Sequence, residues 1–228
     1  MKVGVVVFPG SNCDRDAAHA ARLAGAEAEL LWHETADLRA ADAVILPGGF
    51  AHGDYLRAGA IARFSPIMGA VREHARRGGL VLGICNGFQV LTEAGLLPGV
   101  LRRNTTLRFE HRWVTLAVER RDTPFTHLVP ETATLRLPIA HGEGSYWLTD
   151  ESLDELEAAG RVVFRYTGPE GNPNGSARNI AGVIDEAGRV CGLMPHPERA
   201  SEEMLGSDDG LLLMRSLVES MARVEAAA

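Results

Sequence analysis

The sequence predicts an α/β protein, a three-layer sandwich around a mostly parallel, doubly wound sheet with an antiparallel extension in the second half. Continuous apolar runs such as residues 3–8 are typical of strands buried on both faces of a parallel sheet. In the first half these runs alternate with helical segments, as they do in doubly wound sheets. In the second half, strand-like runs follow one another with only one convincing helix between them.

Each predicted element has a local signal. Gly25 and Gly78 stand where glycine commonly ends a helix, and Ser65-Pro66 is a typical helix start with an N-cap and a proline in the first turn. Glu186-Ala187-Gly188 lies between two apolar runs and predicts a hairpin. The predicted strands are 3–8, 27–32, 43–46, 80–84, 105–109, 113–118, 135–139, 162–166, 180–185 and 189–194, and the predicted helices are 14–24, 66–76, 88–94, 150–159 and 209–224.

Length and composition limit the classes of protein to consider. The chain has 228 residues, 46% of them hydrophobic, and no linker or repeat divides it, so we expect one domain over residues 1–228. The formal net charge of -7 argues against a nucleic-acid partner. No apolar stretch is long enough to cross a membrane, and the first apolar run is too short for a signal peptide.

Cysteine and lysine usage limit the chemistry. Three widely separated cysteines suggest a reduced, cytoplasmic protein, and their spacing resembles no zinc motif, so we expect no metal site. Lys2 is the sole lysine. A P-loop lysine or a Schiff-base lysine elsewhere in the chain is therefore excluded, and the chain should not bind ATP through a Walker motif.

The sequence Gly83-Ile84-Cys85-Asn86-Gly87 predicts a nucleophile elbow. It lies between a predicted strand and a predicted helix, and the glycines two positions before and after Cys85 are what such a tight turn needs. The helix N-terminus would favour the Cys85 thiolate. A structural cysteine in a glycine-rich turn is the alternative, and it would be about as common for this motif alone.

A second segment supplies a base. In Pro195-His196-Pro197-Glu198, Pro197 keeps His196 out of the helical region, so the segment is extended and the Glu198 carboxylate can reach the imidazole. The segment follows an apolar strand, which places it at a carboxyl end of the sheet, where sites of α/β folds gather. Cys85, His196 and Glu198 are therefore the predicted catalytic triad. Cys13, which lacks flanking glycines, and Cys191, inside a strand, are predicted to be structural.

These motifs resemble the triad-type, class I glutamine amidotransferase family over nearly the whole chain. Gln89, four residues after Cys85, fits the same pattern. The segments most similar to the branch of the family that serves purine biosynthesis are Phe8-Pro9-Gly10-Ser11-Asn12, Pro47-Gly48-Gly49-Phe50, Gly53-Asp54-Tyr55, Ala140-His141-Gly142-Glu143-Gly144 and Met194-Pro195-His196-Pro197-Glu198-Arg199.

The resemblance implies a reaction on L-glutamine. Cys85 attacks the side-chain amide, His196 protonates the departing ammonia, and water then releases glutamate from a γ-glutamyl thioester. The backbone N–H groups expected to bind the oxyanion are those of Asn86 and of Gly49 or Phe50. The resemblance places Gln89 at the amino-acid end of the substrate, with His141 and Gly142 lining the same pocket.

The resemblance also implies a partner. Ammonia released into water becomes mostly ammonium, which is not a nucleophile, so the product should pass directly to another protein. We expect an ATP-dependent synthetase subunit, which would hold ATP and Mg²⁺, and a small accessory subunit, while this chain itself needs no cofactor. The docking face is expected around the rim of the active site, near Asp54, Tyr55, Arg57 and Arg103.

Three other interpretations stay open at this point. The chain could serve an amidotransferase that makes anthranilate, guanylate or carbamoyl phosphate, although Pro9-Gly10-Ser11-Asn12 and Gly142-Glu143-Gly144 favour the purine branch. It could be a peptidase or a hydrolase of γ-glutamyl peptides, against which Gln89 and Glu198 argue. It could also be a non-catalytic module with a relic site, which an intact triad argues against.

Overall fold

The structure is a computed structural model that describes residues 1–169 and 171–225. Its strands are β1 (Lys2–Val7), β2 (Glu27–Trp32), β3 (Ala43–Leu46), β4 (Leu80–Ile84), β5 (Val100–Arg102), β6 (Glu110–Val118), β7 (Leu135–His141), β8 (Ser145–Trp147), β9 (Val162–Thr167), β10 (Ile180–Ile184) and β11 (Val190–Leu193). Its α-helices are α1 (Asp14–Leu23), α2 (Ile67–Arg76), α3 (Asn86–Glu93), α4 (Asp150–Ala158) and α5 (Asp209–Glu225).

Nine strands form one sheet in the order β2-β1-β3-β4-β11-β10-β9-β6-β7, and β5 pairs with β8. The pairs from β2 to β11 are parallel, and those from β11 to β7 are antiparallel. The connections through α1 and α2 run in opposite directions along the sheet, so right-handed crossovers place these helices on opposite faces. The predicted doubly wound sheet with an antiparallel extension is confirmed.

The core lies along the parallel half of the sheet. Every residue of β3 and β4 is buried, as expected for parallel strands that are covered on both faces. Helix α1 packs small alanines against the sheet, and seven of the eight residues of α3 are buried. This close packing holds the N-terminus of α3 firmly at the end of β4.

Most predicted boundaries agree with the structure. Strands 27–32, 43–46 and 80–84 are confirmed residue for residue, and the predicted hairpin is formed by β10 and β11. Helix α3 begins at Asn86, two residues before the predicted start. The predicted cap of α2 is wrong, because Ser65 Oγ lies 3.1 Å from His33 Nδ1 and no side chain caps that helix. Strands β5 and β8 were not predicted.

The predicted strand 105–109 is wrong. These residues form a turn in which the Leu107 N–H donates to the Asn104 carbonyl at 2.9 Å. The Asn104 side chain, fully buried, donates to the carbonyl oxygens of Arg108 and His141. The alternation of Leu107 and Phe109 imitates a strand, but both side chains are exposed.

The sheet brings the predicted site together at one edge. Strands β1, β3, β4 and β11 are parallel neighbours, so their carboxyl ends meet at the same edge. The segments that follow them contain Cys13, Gly49, Cys85 and His196, respectively. Within the described residues, no helix is both long and apolar enough to cross a membrane.

Candidate active site

Cys85 occupies a strained turn between β4 and α3. Its backbone angles are φ 49° and ψ -106°, a conformation that L-residues rarely adopt and that tends to occur at functional sites. The Cys85 thiol is buried, and Sγ lies 3.8 Å from the carbonyl oxygen of Ala140. Because α3 begins at the next residue, its N-terminal N–H groups place positive partial charge near the sulfur.

The two glycines of the elbow are required by close packing. A Cβ on Gly83 would lie 2.8 Å from the carbonyl oxygen of Gly87, and a Cβ on Gly87 would overlap the carbonyl oxygen of Leu46 in β3. Real Cβ atoms do not approach backbone this closely. The structure therefore has the tight strand-to-helix turn that the glycine spacing predicts.

His196 and Glu198 form a buried hydrogen-bonded pair. His196 Nδ1 lies 2.6 Å from Glu198 Oε1, and the His196 backbone N–H donates to the carbonyl of Pro138 at 2.8 Å. A carboxylate can only accept, so it places the proton on Nδ1 and leaves Nε2 for proton exchange. Nε2 is buried and has no hydrogen-bond partner among the described residues.

Charges around the imidazole favour its protonated form. Burial lowers the pKa of His196, but the charges of Glu198 and of Cys85 raise it, and the net result is a pKa well above the ordinary value. Cys85 is thus close enough to interact with His196, although no hydrogen bond closes onto Nε2 in this conformation. The raised pKa favours the imidazolium form of His196, which can donate a proton at a site next to Cys85.

Cys13 lies against the same histidine, which was not predicted. Its Sγ accepts a hydrogen bond from Arg199 Nη2 at 2.9 Å and donates one to Asn12 Oδ1 at 3.3 Å. A Cβ on Gly48 would lie 2.6 Å from His196 Cε1 and 3.2 Å from Cys13 Sγ, so thiol and imidazole flank one glycine. Burial raises the pKa of Cys13 and keeps it a neutral thiol, which leaves Cys85 as the better nucleophile.

Cys13, His196 and Glu198 also have the spacing of a metal site, since their donor atoms all lie within 4.8 Å of one another. The charge of Arg199 on the Cys13 sulfur opposes a bound cation, and Glu198 already accepts from His196. These contacts fit a proton-transfer site better than a metal centre.

Of the backbone N–H groups predicted to bind an oxyanion, those of Asn86 and Gly49 have suitable local geometry. Asn86 begins α3 directly after Cys85, where helix N–H groups have no partner within the helix. Gly49 has φ +143°, and a Cβ there would lie 2.7 Å from the Asn12 nitrogen, so only glycine fits. The Phe50 N–H donates to the Gly10 carbonyl at 3.0 Å, which leaves Gly49 as the available donor of the predicted pair in this conformation.

A cleft of about 270 Å³ opens over Cys85, and the predicted residues Gln89, His141 and Gly142 line it. Gln89 is held at both ends of its amide. Nε2 donates to the Glu143 carbonyl at 2.5 Å, and Oε1 accepts from Asn86 Nδ2 at 2.9 Å. One N–H and one lone pair of this amide remain for a ligand.

His141 is held by a buried amide network. Its Nδ1 lies 3.2 Å from Asn104 Oδ1, and its Nε2 lies 3.4 Å from Asn174 Nδ2. Burial and the charge of His196 lower the pKa of His141 to about 4, so the ring is neutral near pH 7. Its two nitrogens are engaged with protein, so its geometry fits a role in positioning Gly142 and Glu143 better than direct contact with a substrate.

Asp54, which the sequence analysis places on the docking face, lies in the cleft beside Cys85. It lines the cleft with Arg103 and Glu143, and its Oδ1 accepts from Asn86 Nδ2 at 3.2 Å. Burial and the nearby charge of Glu143 raise the pKa of Asp54 to about 6. Carboxylates and guanidinium groups in one cleft match the ammonium and carboxylate groups of an α-amino acid.

Comparisons with known proteins agree with this geometry. Residues 1–208 match the model of the CobB/CobQ-like glutamine amidotransferase domain. Two curated relatives carry the name phosphoribosylformylglycinamidine synthase subunit PurQ. The one from Rubrobacter xylanophilus is 60% identical over 96% of this chain and 98% of its own, and the one from a Synechococcus species is 56% identical over 97% and 98%. In the solved structure of PurLQS from Thermotoga maritima, one chain superposes with a TM-score of 0.87 at 45% identity, covering 96% of this chain and 98% of that chain.

We expect Gly87→Ala to abolish the reactivity of Cys85, because the new methyl group would push α3 away from the Leu46 carbonyl. Gly69→Ala is the matched control, since it also lies in a helix but has open space at its Cβ and should be neutral or stabilising by up to about 1 kcal/mol. Thermal unfolding and thiol labelling measure both effects. Equal stability and equal thiol labelling of the two variants would contradict the close contact between Gly87 and the Leu46 carbonyl.

We expect Glu198→Gln to lower the pKa of His196, because the carboxylate supports the imidazolium, and an NMR titration of the imidazole measures this shift. The rate of glutamine hydrolysis should fall by roughly 10²–10⁴-fold, the usual contribution of acid–base catalysis, without vanishing. The exposed Glu203→Gln is the control. An unchanged pH profile with full activity would remove Glu198 from the triad.

Proposed function

Because the chain belongs to the family of CobB/CobQ-like glutamine amidotransferases, we propose that it is the glutaminase subunit of phosphoribosylformylglycinamidine synthase. In de novo purine biosynthesis this enzyme makes formylglycinamidine ribonucleotide from formylglycinamide ribonucleotide, with ATP and the ammonia of glutamine. The Cys85 elbow beside the buried His196–Glu198 pair is the observation that carries the glutaminase activity. The names of the full-length relatives favour the purine enzyme over the other amidotransferases.

The first half-reaction forms a thioester. The Cys85 thiolate attacks the side-chain amide carbon of glutamine, and the carbonyl oxygen becomes an oxyanion that the N–H groups of Gly49 and Asn86 bind. Collapse of this intermediate breaks the C–N bond as the His196 imidazolium gives its proton to the nitrogen, so ammonia leaves. Loss of one such oxyanion donor typically costs about 2.7–4 kcal/mol.

The second half-reaction regenerates the thiol. Neutral His196 takes a proton from water, and the resulting hydroxide attacks the γ-glutamyl thioester carbon. The same two N–H groups bind the second oxyanion, the C–S bond breaks, and glutamate leaves. Glu198 keeps the imidazole in one orientation and stabilises its positive form through both steps.

The amino-acid end of glutamine is bound by the polar side of the cleft. The Asp54 carboxylate takes the α-ammonium group, the Arg103 guanidinium takes the α-carboxylate, and the free N–H of Gln89 contributes a further hydrogen bond. Asp54 and Arg103 both line the cleft beside Cys85, which supports this arrangement.

The partner of this chain is an ATP-dependent synthetase subunit, joined by a small accessory subunit. The chain related to this one occurs in a structure named PurLQS, which supports such an assembly. ATP and Mg²⁺ belong to the synthetase subunit, because the single lysine of this chain, at position 2, leaves no lysine for a Walker motif. The site of action is the cytoplasm, where the three unpaired cysteines, all buried, stay reduced.

We expect Cys85→Ala to abolish glutamine-dependent synthesis in the assembled complex while synthesis from added ammonia persists, because only ammonia production uses this thiol. Cys191→Ala, a buried cysteine in β11, is the control and should keep both activities. Product formation from each nitrogen source measures the difference. Loss of ammonia-dependent synthesis in a folded complex would contradict the claim that Cys85 serves only the production of ammonia.

We expect Asp54→Asn to raise the KM for glutamine by roughly 10–100-fold, the equivalent of one charge-assisted hydrogen bond. Since the pKa of Asp54 is about 6, kcat/KM of the unaltered protein should fall as the pH drops below 6 and the carboxylate is protonated, and the variant should lack this fall. The exposed Asp37→Asn is the control. An unchanged KM would place the α-ammonium elsewhere.

A further inference from the structure

The segment that joins β7 to β8 forms one wall of the cleft, and two carbonyl groups in and next to it contact active-site side chains. The Ala140 carbonyl lies 3.8 Å from Cys85 Sγ, and the Glu143 carbonyl accepts from Gln89 Nε2 at 2.5 Å. Residues 142–144 lie between the two strands, and two of these three residues are glycines. Glycine gives a chain little stiffness of its own, so contacts with other segments must hold this wall in place.

Asn104 supplies several of those contacts from inside the protein. Its side chain is fully buried, and both ends of its amide are engaged twice. Oδ1 accepts from the Gly144 N–H at 3.0 Å and lies 3.2 Å from His141 Nδ1. Nδ2 donates to the carbonyls of Arg108 and His141, each at 2.9 Å. A carboxylate here would turn an oxygen toward those two carbonyls, so this position needs an amide.

The contact of Asn104 with Gly144 fixes the direction of the Glu143 carbonyl. The Gly144 N–H and the Glu143 C=O belong to one planar peptide unit, in which they point in opposite directions. A hydrogen bond that holds the N–H therefore aims the C=O, and this C=O accepts from Gln89 Nε2. Asn104 thus reaches the Gln89 amide through a single peptide unit.

Asn174 holds the next peptide unit of the same wall. Its fully buried Nδ2 donates to the Gly144 carbonyl at 2.9 Å and lies 3.4 Å from His141 Nε2. The His141 ring fills the space beside Gly144, where a Cβ would lie 2.3 Å from His141 Cε1. Because Asn104 accepts at one ring nitrogen and Asn174 donates at the other, the imidazole is held between them as a neutral spacer.

We propose that Asn104 is a positioning residue for glutamine, which acts on Gln89 through the peptide unit of Glu143 and Gly144, with Asn174 in support. The inference rests on the proposed function, in which the free N–H of Gln89 binds the amino-acid end of glutamine. A glutamine side chain has several rotatable bonds, so its amide keeps one direction only when hydrogen bonds fix it. The amide bond that breaks lies at the other end of the substrate, so Asn104 serves binding more than bond cleavage.

The test is the kinetics of glutamine hydrolysis by the assembled complex. Asn104→Leu removes the amide at similar size and should raise the KM for glutamine roughly three- to tenfold, the effect of about one hydrogen bond, with a smaller change in kcat. Asn174→Ala should raise KM by a smaller factor, because Ser176 Oγ still donates to the Gly144 carbonyl. Thr126→Val is the matched control. Thr126 is also fully buried and hydrogen-bonded, but it lies in the connection from β6 to β7, so its loss should lower the melting temperature without changing KM.

A double-mutant cycle separates positioning from a general loss of structure. Gln89→Ala should raise KM, and adding Asn104→Leu to it should change KM by less than roughly twofold further, because the group on which Asn104 acts is gone. Fully additive effects, or an unchanged KM in both asparagine variants, overturn the inference. If Asn104→Leu does not fold, the same cycle with Asn174→Ala decides. If the unaltered complex does not hydrolyse glutamine, the proposed function itself fails.

Discussion

The approach of Gly87 to the carbonyl of Leu46 is the constraint on which the candidate site depends. It joins the first turn of α3 to the end of β3, so the helix starts directly beside the loop that contains Gly49. The chain between β4 and α3 then has room for one residue only, and Cys85 takes the strained conformation that this turn requires. Cys85, the N-terminus of α3 and the loop that contains Gly49 are thus placed by one contact between backbones.

Charged side chains set the protonation of the groups that this packing brings together. Glu198 is buried and accepts from His196 at 2.6 Å, and burial strengthens the effect of its charge on the imidazole. Arg199, the residue after Glu198, donates a hydrogen bond to the Cys13 sulfur. The site therefore contains two thiols with different environments. Cys85 lies at a helix N-terminus, while burial raises the pKa of Cys13 and keeps that thiol neutral.

The features that the sequence predicts correctly are local ones. The glycines around Cys85 lie within five residues, and His196 and Glu198 are two apart, so chain geometry alone brings each group together. Apolar runs predict the parallel strands well because both faces of such strands are covered. The contact of Cys13 with His196 joins residues 183 positions apart and depends on the order of β1, β3, β4 and β11, which periodicity does not contain.

The features that the sequence does not predict depend on contacts between segments that are far apart in the chain. Residues 105–109 alternate like a strand, but the buried Asn104 side chain binds two carbonyls and turns the chain outward. The raised pKa of Asp54 depends on its burial and on the charge of Glu143, which lies on a distant segment, and the hydrogen bond of the Phe50 N–H depends on Gly10. The single domain over residues 1–228 stays a prediction.

We propose that Cys85, and neither of the other thiols, carries the γ-glutamyl group during turnover. The most direct measurement is mass analysis of peptides from protein that has been mixed with glutamine and quenched in acid during turnover, with Glu198→Gln used to slow release of the thioester. We expect one γ-glutamyl group on the peptide that contains Cys85 and none on the peptides that contain Cys13 or Cys191. A γ-glutamyl group on the Cys13 peptide, or hydrolysis that persists in Cys85→Ala, would contradict it.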